Sequence, residues 1–326
     1  MARIKVDRPD LVMDGDGVEV RLSRDYAELG ENAVVRLREL IAPYPRTSAI
    51  VEALLADPEV LADWDMADYL VVTKMGYNDH GEVHHKVVAA GAASLLQLLV
   101  EAKVGTDVVV SGAGELDDAF MVAVTSSLLH DIGNQVHREG HEVYGVMLAV
   151  SLLDRLLTPV YEDPEQRYEL RAFILHSIRA HDGKVPPLTL ESAVVAVADA
   201  CDMTKGRSRY ALDMGSISIH TIGGVSIERV SIERGKVRPI LIRVELSNSA
   251  GIFPVEEYVV PKVNAGALAE HTEVVVTTQP TDSRTDRRVL YTVEMQGKRF
   301  VAVGPDGPRV VNPGEADVTL DVPEAT

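Results

Sequence analysis

One cysteine, Cys201, occurs in 326 residues. No internal disulfide can form and no cysteine-based zinc cage can be built, so nitrogen and oxygen are left as donors for any metal, in keeping with a reducing compartment. Cations are scarce too: 32 Lys and Arg stand against 50 Asp and Glu, for a formal net charge of −18. Repulsion from a polyanion opposes the counterion release that drives non-specific binding, and neither nucleic acid nor an anionic membrane is an expected partner. An anionic substrate would need metal ions, or a local basic cluster, to reverse that field in one cleft. No uninterrupted apolar run reaches the ~18 residues of a membrane span, and MARIKVDRPD opens with charges and a proline where a signal peptide has its apolar centre. The expected location is cytoplasmic. There is no G-x-S-x-G elbow, no Walker A loop and no internal repeat, and GAGE at 112–115 lacks the later glycine of a dinucleotide fingerprint.

What is present is 46% hydrophobic residues, enough for a sizeable core in about two domains. From Tyr26 the apolar positions recur three and four apart. AELGENAVVRLRELI, SAIVEALLADPEVLADWDMADYLVV, VHHKVVAAGAASLLQLLVEAKV, DDAFMVAVTSSLLHDIG, EGHEVYGVMLAVSLLDRLL, EQRYELRAFILHSIRAH and TLESAVVAVADACDM read as helices, with Asp117 and Asp118 as caps of the fourth. After Gly215 the pattern alternates: VSIERVSIERG, RPILIRVELSN and HTEVVVTT read as strands. SAGIFPVEEYVVPKVNAGAL between them allows a short helix limited by Pro254 and Pro261, and RRVLYTVEMQGKRFVAV reads as a hairpin turned at Gln296 and Gly297. The expected fold is mainly α. It comprises a helical domain over 1–215, a small α+β domain over 216–280 for dimerisation or regulation, and a hairpin with an acidic tail over 281–326. Exposed edges of so small a sheet favour self-pairing and hence a homodimer.

Of ten histidines, eight fall between 80 and 181. Imidazole is the commonest metal ligand among side chains, and such crowding favours a site over chance. In NDHGEVHH, His80 and His84 share a face if the helix begins by His80, and His84 aligns with the apolar Val88, Ala92 and Leu95. LLHDIG ends a helix at Gly133, so His130 and Asp131 diverge by about 100° and can straddle one ion or face two. His176 and His181, five apart in ILHSIRAHDG, can approach one ion if the helix ends between them. Asp199 lies in the apolar VVAVADACD, where a carboxylate is costly unless paired or bound to metal.

The order His, His-Asp, paired His, Asp resembles the HD-domain superfamily of metal-dependent phosphohydrolases, over roughly 80–210. The resemblance implies an all-α bundle holding one or two divalent ions that activate water to cleave a phosphoester. His84, His130, Asp131 and Asp199 match its mononuclear ligand set. His176 and His181 match the two extra histidines of its dinuclear subgroups, in which Asp131 would bridge both ions. HDGKVPP stands where the cyclic-di-GMP phosphodiesterase subgroup has a GYP motif, against that specialisation. The function expected is therefore hydrolysis of a small phosphoester, with a nucleotide among the candidates. An HD-type di-iron oxygenase or a non-catalytic nucleotide- or metal-sensing module is the alternative. Ligands of this kind suit Fe, Mn, Zn, Co or Ni, and Mg less. His137, His141 or Lys184 could supply the leaving-group proton. Lys205, Arg207 and Arg209, with Asp202 as a partner, make a basic cluster that could hold substrate phosphate.

Overall fold

The computed structural model of the chain describes residues 24–203, 223–224, 226–278, 292–296, 299–304 and 307–308. Among the described residues nine α-helices precede the sheet: α1 Arg24–Ile41, α2 Pro45–Leu55, α3 Pro58–Asp68, α4 Glu82–Glu101, α5 Asp107–Val110, α6 Leu116–Leu129, α7 His141–Leu157, α8 Pro164–Ala180 and α9 Leu190–Cys201. Three of them, α2, α3 and α8, open on proline, where the missing N–H has no intrahelical partner to lose. Asp57 caps α3 by accepting from Glu59 N and Val60 N, and Asp163 caps α8 by accepting from Glu165 N.

The caps of α6 differ from expectation. Glu115 is its N-cap, in a reciprocal capping box with Asp118, while Asp117 turns to a neighbour and accepts from Arg46 N and Thr47 N, both at 2.9 Å. A carboxylate on one helix thus satisfies the orphan donors of another, fixing α2 against α6.

In the interior, α6 is buried from Asp118 to Leu129. On one side it packs with α1, α2, α3, α7 and α8 around Leu37, Trp64, Leu128 and Leu153. On the other, Phe120 and Ala123 join α4, α9 and the sheet in a second cluster that includes Leu95, Val197, Ile242 and Val274. The single described helix long and apolar enough to cross a membrane is α4, and it lies mostly buried between these partners.

The strands are β1 Ile227–Arg234, β2 Ile240–Leu246, β3 Thr272–Thr278, β4 Thr292–Gln296, β5 Arg299–Gly304 and β6 Gly307–Pro308, neighbours in chain order. All pairs are antiparallel except β2 with β3, whose parallel register runs from Ile240↔Thr272 to Leu246↔Thr278. A parallel pair needs a crossover. It is helical: Ile252–Pro254, a π-helical turn Val255–Val259 and α10, Val260–Ala265, which lies on α9. Pro261 falls in the first turn of α10, where it does not limit the helix. Ile240, Ile242, Val244 and Leu246 of β2 bury on the helical side, each contributing roughly 1.5–3 kcal/mol of hydrophobic stabilisation.

The fold is mainly α with a small α+β part, as the sequence leads one to expect. The expected boundary at 215/216 lies outside the described residues. β4 and β5 pair antiparallel up to Gln296↔Arg299, with Gly297 of the expected turn outside the described residues, and β4 also pairs with β3, so the two strands extend the one sheet.

Candidate metal centre

Six side chains from five helices converge where α6 ends. The helix stops at Leu129. His130 is its C-cap, Asp131 follows, and a 3-10 turn over Ile132–Gln135 carries the chain away. Gly133 is required by a close approach, since a Cβ there would meet His141 O at 1.9 Å and Gly145 N at 2.4 Å. That contact, with Gly140 at φ +78° before α7, brings His141 beside Asp131.

Asp131 divides the centre in two. Its Oδ2 faces His84 Nε2 at 3.6 Å and His130 Nε2 at 3.5 Å, and Asp199 Oδ1 closes that pocket at 3.3 Å from His84 Nε2. Its Oδ1 faces His141 Nε2 at 3.1 Å and His181 Nε2 at 3.4 Å. All of these residues are buried except Asp199, which is 15% exposed.

The hydrogen-bond pattern fixes which nitrogens face inward. His84 Nδ1 donates to Asp202 Oδ2 at 2.6 Å, His130 Nδ1 to Ser127 O at 2.8 Å, His141 Nδ1 to Arg138 O at 3.0 Å and His181 Nδ1 to Ile178 O at 2.7 Å. Ser127 and Ile178 lie in the last turns of α6 and α8, where carbonyls lack intrahelical partners. With each Nδ1 carrying the proton of the neutral ring, four Nε2 lone pairs point at each other and at carboxylate oxygens. His84 Nε2 and His130 Nε2 are 3.0 Å apart, His141 Nε2 and His181 Nε2 3.1 Å apart, and buried Asp131 Oδ1 accepts no hydrogen bond of good geometry. Lone pairs crowded in this way repel unless a cation lies among them. Nitrogens about 2.1 Å from one ion at roughly tetrahedral or octahedral angles lie about 3.0–3.4 Å apart, so both imidazole pairs fit a divalent metal.

The electrostatics favour positive charge here. Burial would raise the Asp131 carboxyl, but the imidazoles of His130, His141 and His181 outweigh it and hold it well below the usual range. Burial likewise opposes Lys262, His130 and His84 at Asp199, and loses. Burial would lower His130, yet Asp131 and Asp199 outweigh it and raise it, which shows how strongly their carboxylates favour positive charge at this point. Burial pulls His181 down and keeps its lone pair available.

Several expected residues lie elsewhere. His176 is on another face of α8, where its Nε2 accepts from Leu188 N at 2.9 Å. His137 is exposed, with Nδ1 accepting from Glu139 N. Lys184 Nζ is held at 3.0 Å by both Glu142 and Asp182, so an ammonium already bridges the two carboxylates of the ligand-like trio His141, Glu142 and Asp182. Lys205, Arg207 and Arg209 lie outside the described residues, and Asp202 pairs with His84. Among the neighbours of His84, His80 sits before the helix, which begins only at Glu82, yet its Nε2 comes within 3.9 Å of Asp131 Oδ2. His85 packs on Trp64 with ring centroids 5.3 Å apart, and burial keeps it neutral. Cys201 is inert, its thiol pushed up to about 12 by burial. Arg138, 3.8 Å from Asp131 Oδ1, and Lys262, 2.6 Å from Asp199 Oδ2, carry no recognisable motif around them in the sequence.

The HD domain family matches residues 111–204. An uncharacterized protein of Methanocaldococcus jannaschii is 36% identical over 225 residues, which cover 69% of this chain and 86% of that one. This chain belongs to the HD-domain superfamily. Ribonuclease Y of Syntrophomonas wolfei is 33% identical over 97 residues, 30% of this HD protein and 16% of the relative, and ribonuclease Y of Thermoanaerobacter pseudethanolicus 36% over 104 residues, 31% and 18%. The match therefore spans under a fifth of each ribonuclease Y chain. No solved structure matches. The HD superfamily is one of metal-dependent phosphohydrolases, and the His/Asp cluster at the end of α6 is compatible with its divalent metals.

Proposed function

We propose that this HD protein hydrolyses a small phosphoester, a nucleotide among the candidates, at a dinuclear metal centre. One ion would be held by His84, His130, Asp131 and Asp199, and the other by Asp131, His141 and His181. The observation that carries this reading is the split of Asp131, with Oδ2 turned to one imidazole pair and Oδ1 to the other. Divalent ions bound as such a pair lower the pKa of a coordinated water towards neutrality and offset charge on phosphoryl oxygens.

The protein's own groups do the rest. Asp202 orients the His84 ring and raises its basicity, as carboxylates behind ligating histidines do. The Ser127, Arg138 and Ile178 carbonyls orient the other three rings. Arg138, tied to Asn134 Oδ1 at 3.2 Å, offers a fixed guanidinium beside Asp131 Oδ1 for an anionic substrate. Lys184 is held by Glu142 and Asp182 and His141 faces Asp131, so the proton donor in this reading is His80, whose Nε2 comes within 3.9 Å of Asp131 Oδ2. The net charge of −18 supports a small substrate over a nucleic acid, notwithstanding the ribonuclease relatives.

The test is phosphate release from a panel of nucleotides and simple phosphoesters, with manganese, iron or cobalt supplied. Release abolished in Asp131→Ala, with the circular dichroism retained, is the expected result; undiminished turnover in that folded variant would reject the reading. Four imidazoles and two carboxylates also suit an iron pair, so oxygen consumption by the iron-loaded protein is the companion measurement. Uptake of oxygen without phosphate release would favour an oxygenase.

A further inference from the structure

One cation at the centre comes from outside the helical body. Lys262 lies on α10, in the crossover between β2 and β3, and its Nζ donates to Asp199 Oδ2 at 2.6 Å. Asp199 is the most exposed of the six convergent residues at 15%, and Lys262 is 11% exposed, so the pair marks the opening of the site. The Lys262 stem passes beside the turn that follows His181, its Cγ 4.0 Å from where a Cβ of Gly183 would stand.

An ammonium has three N–H donors, and Lys262 uses one on a described residue. In so enclosed a position, the other two need an acceptor, and the nearby carboxylate has already turned Oδ1 inward to His84 and His130. Tyr258, one helical turn earlier on the same crossover, lies within electrostatic reach of Arg138 and Tyr77. The crossover thus places Lys262 on Asp199 and Tyr258 near Arg138.

We infer that Lys262 is a catalytic residue supplied by the α+β unit, whose free donors take a non-bridging phosphoryl oxygen of the substrate while its third holds Asp199. The inference rests on the phosphohydrolase reading for the identity of the anion, and its test separates the two. Inorganic phosphate is the probe, titrated calorimetrically into the full-length, metal-loaded protein. In Lys262→Met, which keeps the length of the stem, the dissociation constant for phosphate rises tenfold or more while metal content and melting temperature match the parent. Lys262→Arg keeps phosphate binding within about threefold.

An unchanged dissociation constant in Lys262→Met overturns the inference, as does failure of the parent to bind phosphate. Loss of metal in Lys262→Met also overturns it, because Lys262 would then serve only to hold Asp199. If phosphate binding depends on Lys262 but the parent hydrolyses no phosphoester, the anion contact stands and the hydrolytic reading falls.

Discussion

The two pockets that share Asp131 are built differently. The His84 and His130 pocket stands on the well-packed helices α4, α6 and α9, and carboxylates surround it: Asp199 in front, Asp202 behind His84, and Asp131 Oδ2 at the side. The His141 and His181 pocket stands on the first residue of α7 and the residue after α8. Its rings lean on backbone carbonyls, Asp131 Oδ1 faces both Nε2 atoms, Glu142 Oε2 lies behind His141 at 3.4 Å from its Nδ1, and Arg138 adds positive charge nearby. Lys262 offsets part of the charge on Asp199, but three carboxylates surround the first pocket and rigid helices hold its donors, so it is expected to bind its ion more tightly. The second is the one open to exchange.

Asp131→Ala removes the element the pockets share and has the largest effect: both ions lost and phosphate release down by on the order of 10³-fold or more. Elemental analysis beside a turnover assay checks it, and retention of either ion at full occupancy would break the bridging picture. Next is His141→Ala, expected to empty the second pocket selectively, one ion remaining, with turnover lower by roughly 10²-fold. His176→Ala is its control, with both ions kept and turnover within about twofold; the reverse ranking would reassign the second pocket. Asp202→Ala reaches only the first pocket and lowers its metal affinity by about 10–100-fold, read from competition with a chelating dye.

The smallest effect falls beneath both pockets, where α3 packs on the Ile132–Gln135 turn. Burial, with Glu59 and Asp57 adding to it, pushes the Asp63 carboxyl from 3.8 up to about 6. An acid raised in the folded state stabilises the fold while protonated, and that stabilisation is lost as pH rises from about 4 through 6. Asp63→Asn should raise stability at pH 7.5 by about 1 kcal/mol, after allowance for its partial exposure, and by nothing at pH 4. Urea titrations at the two pH values decide this, and equal gains at both would remove the titration from the explanation.

The same contrast explains what could be read from the sequence. The first pocket was legible because His84 and Asp199 sit inside regular helices, His84 in register with Val88 and Ala92 and Asp199 a lone charge in an apolar run, and because His130-Asp131 close an apolar helix as a recognisable pair. The second was not. The pairing of His176 with His181 requires α8 to end between them, but α8 continues to Ala180, and five residues of helix turn two side chains about 140° apart. His141 takes the place in the centre because α7 begins against Gly133, a tertiary contact with only the glycines at 133 and 140 to announce it. Lys262 was beyond sequence reasoning, since its position depends on how strands 30 residues apart align. The strands themselves were plain from alternation, whereas the parallel pairing of β2 with β3 followed from the crossover helix and not from either strand's pattern.

That parallel pairing acts as a ruler. The depth at which α10 presents its lysine is set by Ile240 standing opposite Thr272, and a slip of one residue would shift β3 by about 3.3 Å and turn its buried face outward. Exchange of the sheet between relatives is therefore a graft with a tolerance narrower than one residue. A chimera that preserves every histidine but lengthens the β2 to β3 register would arrive at the centre with its ammonium out of reach.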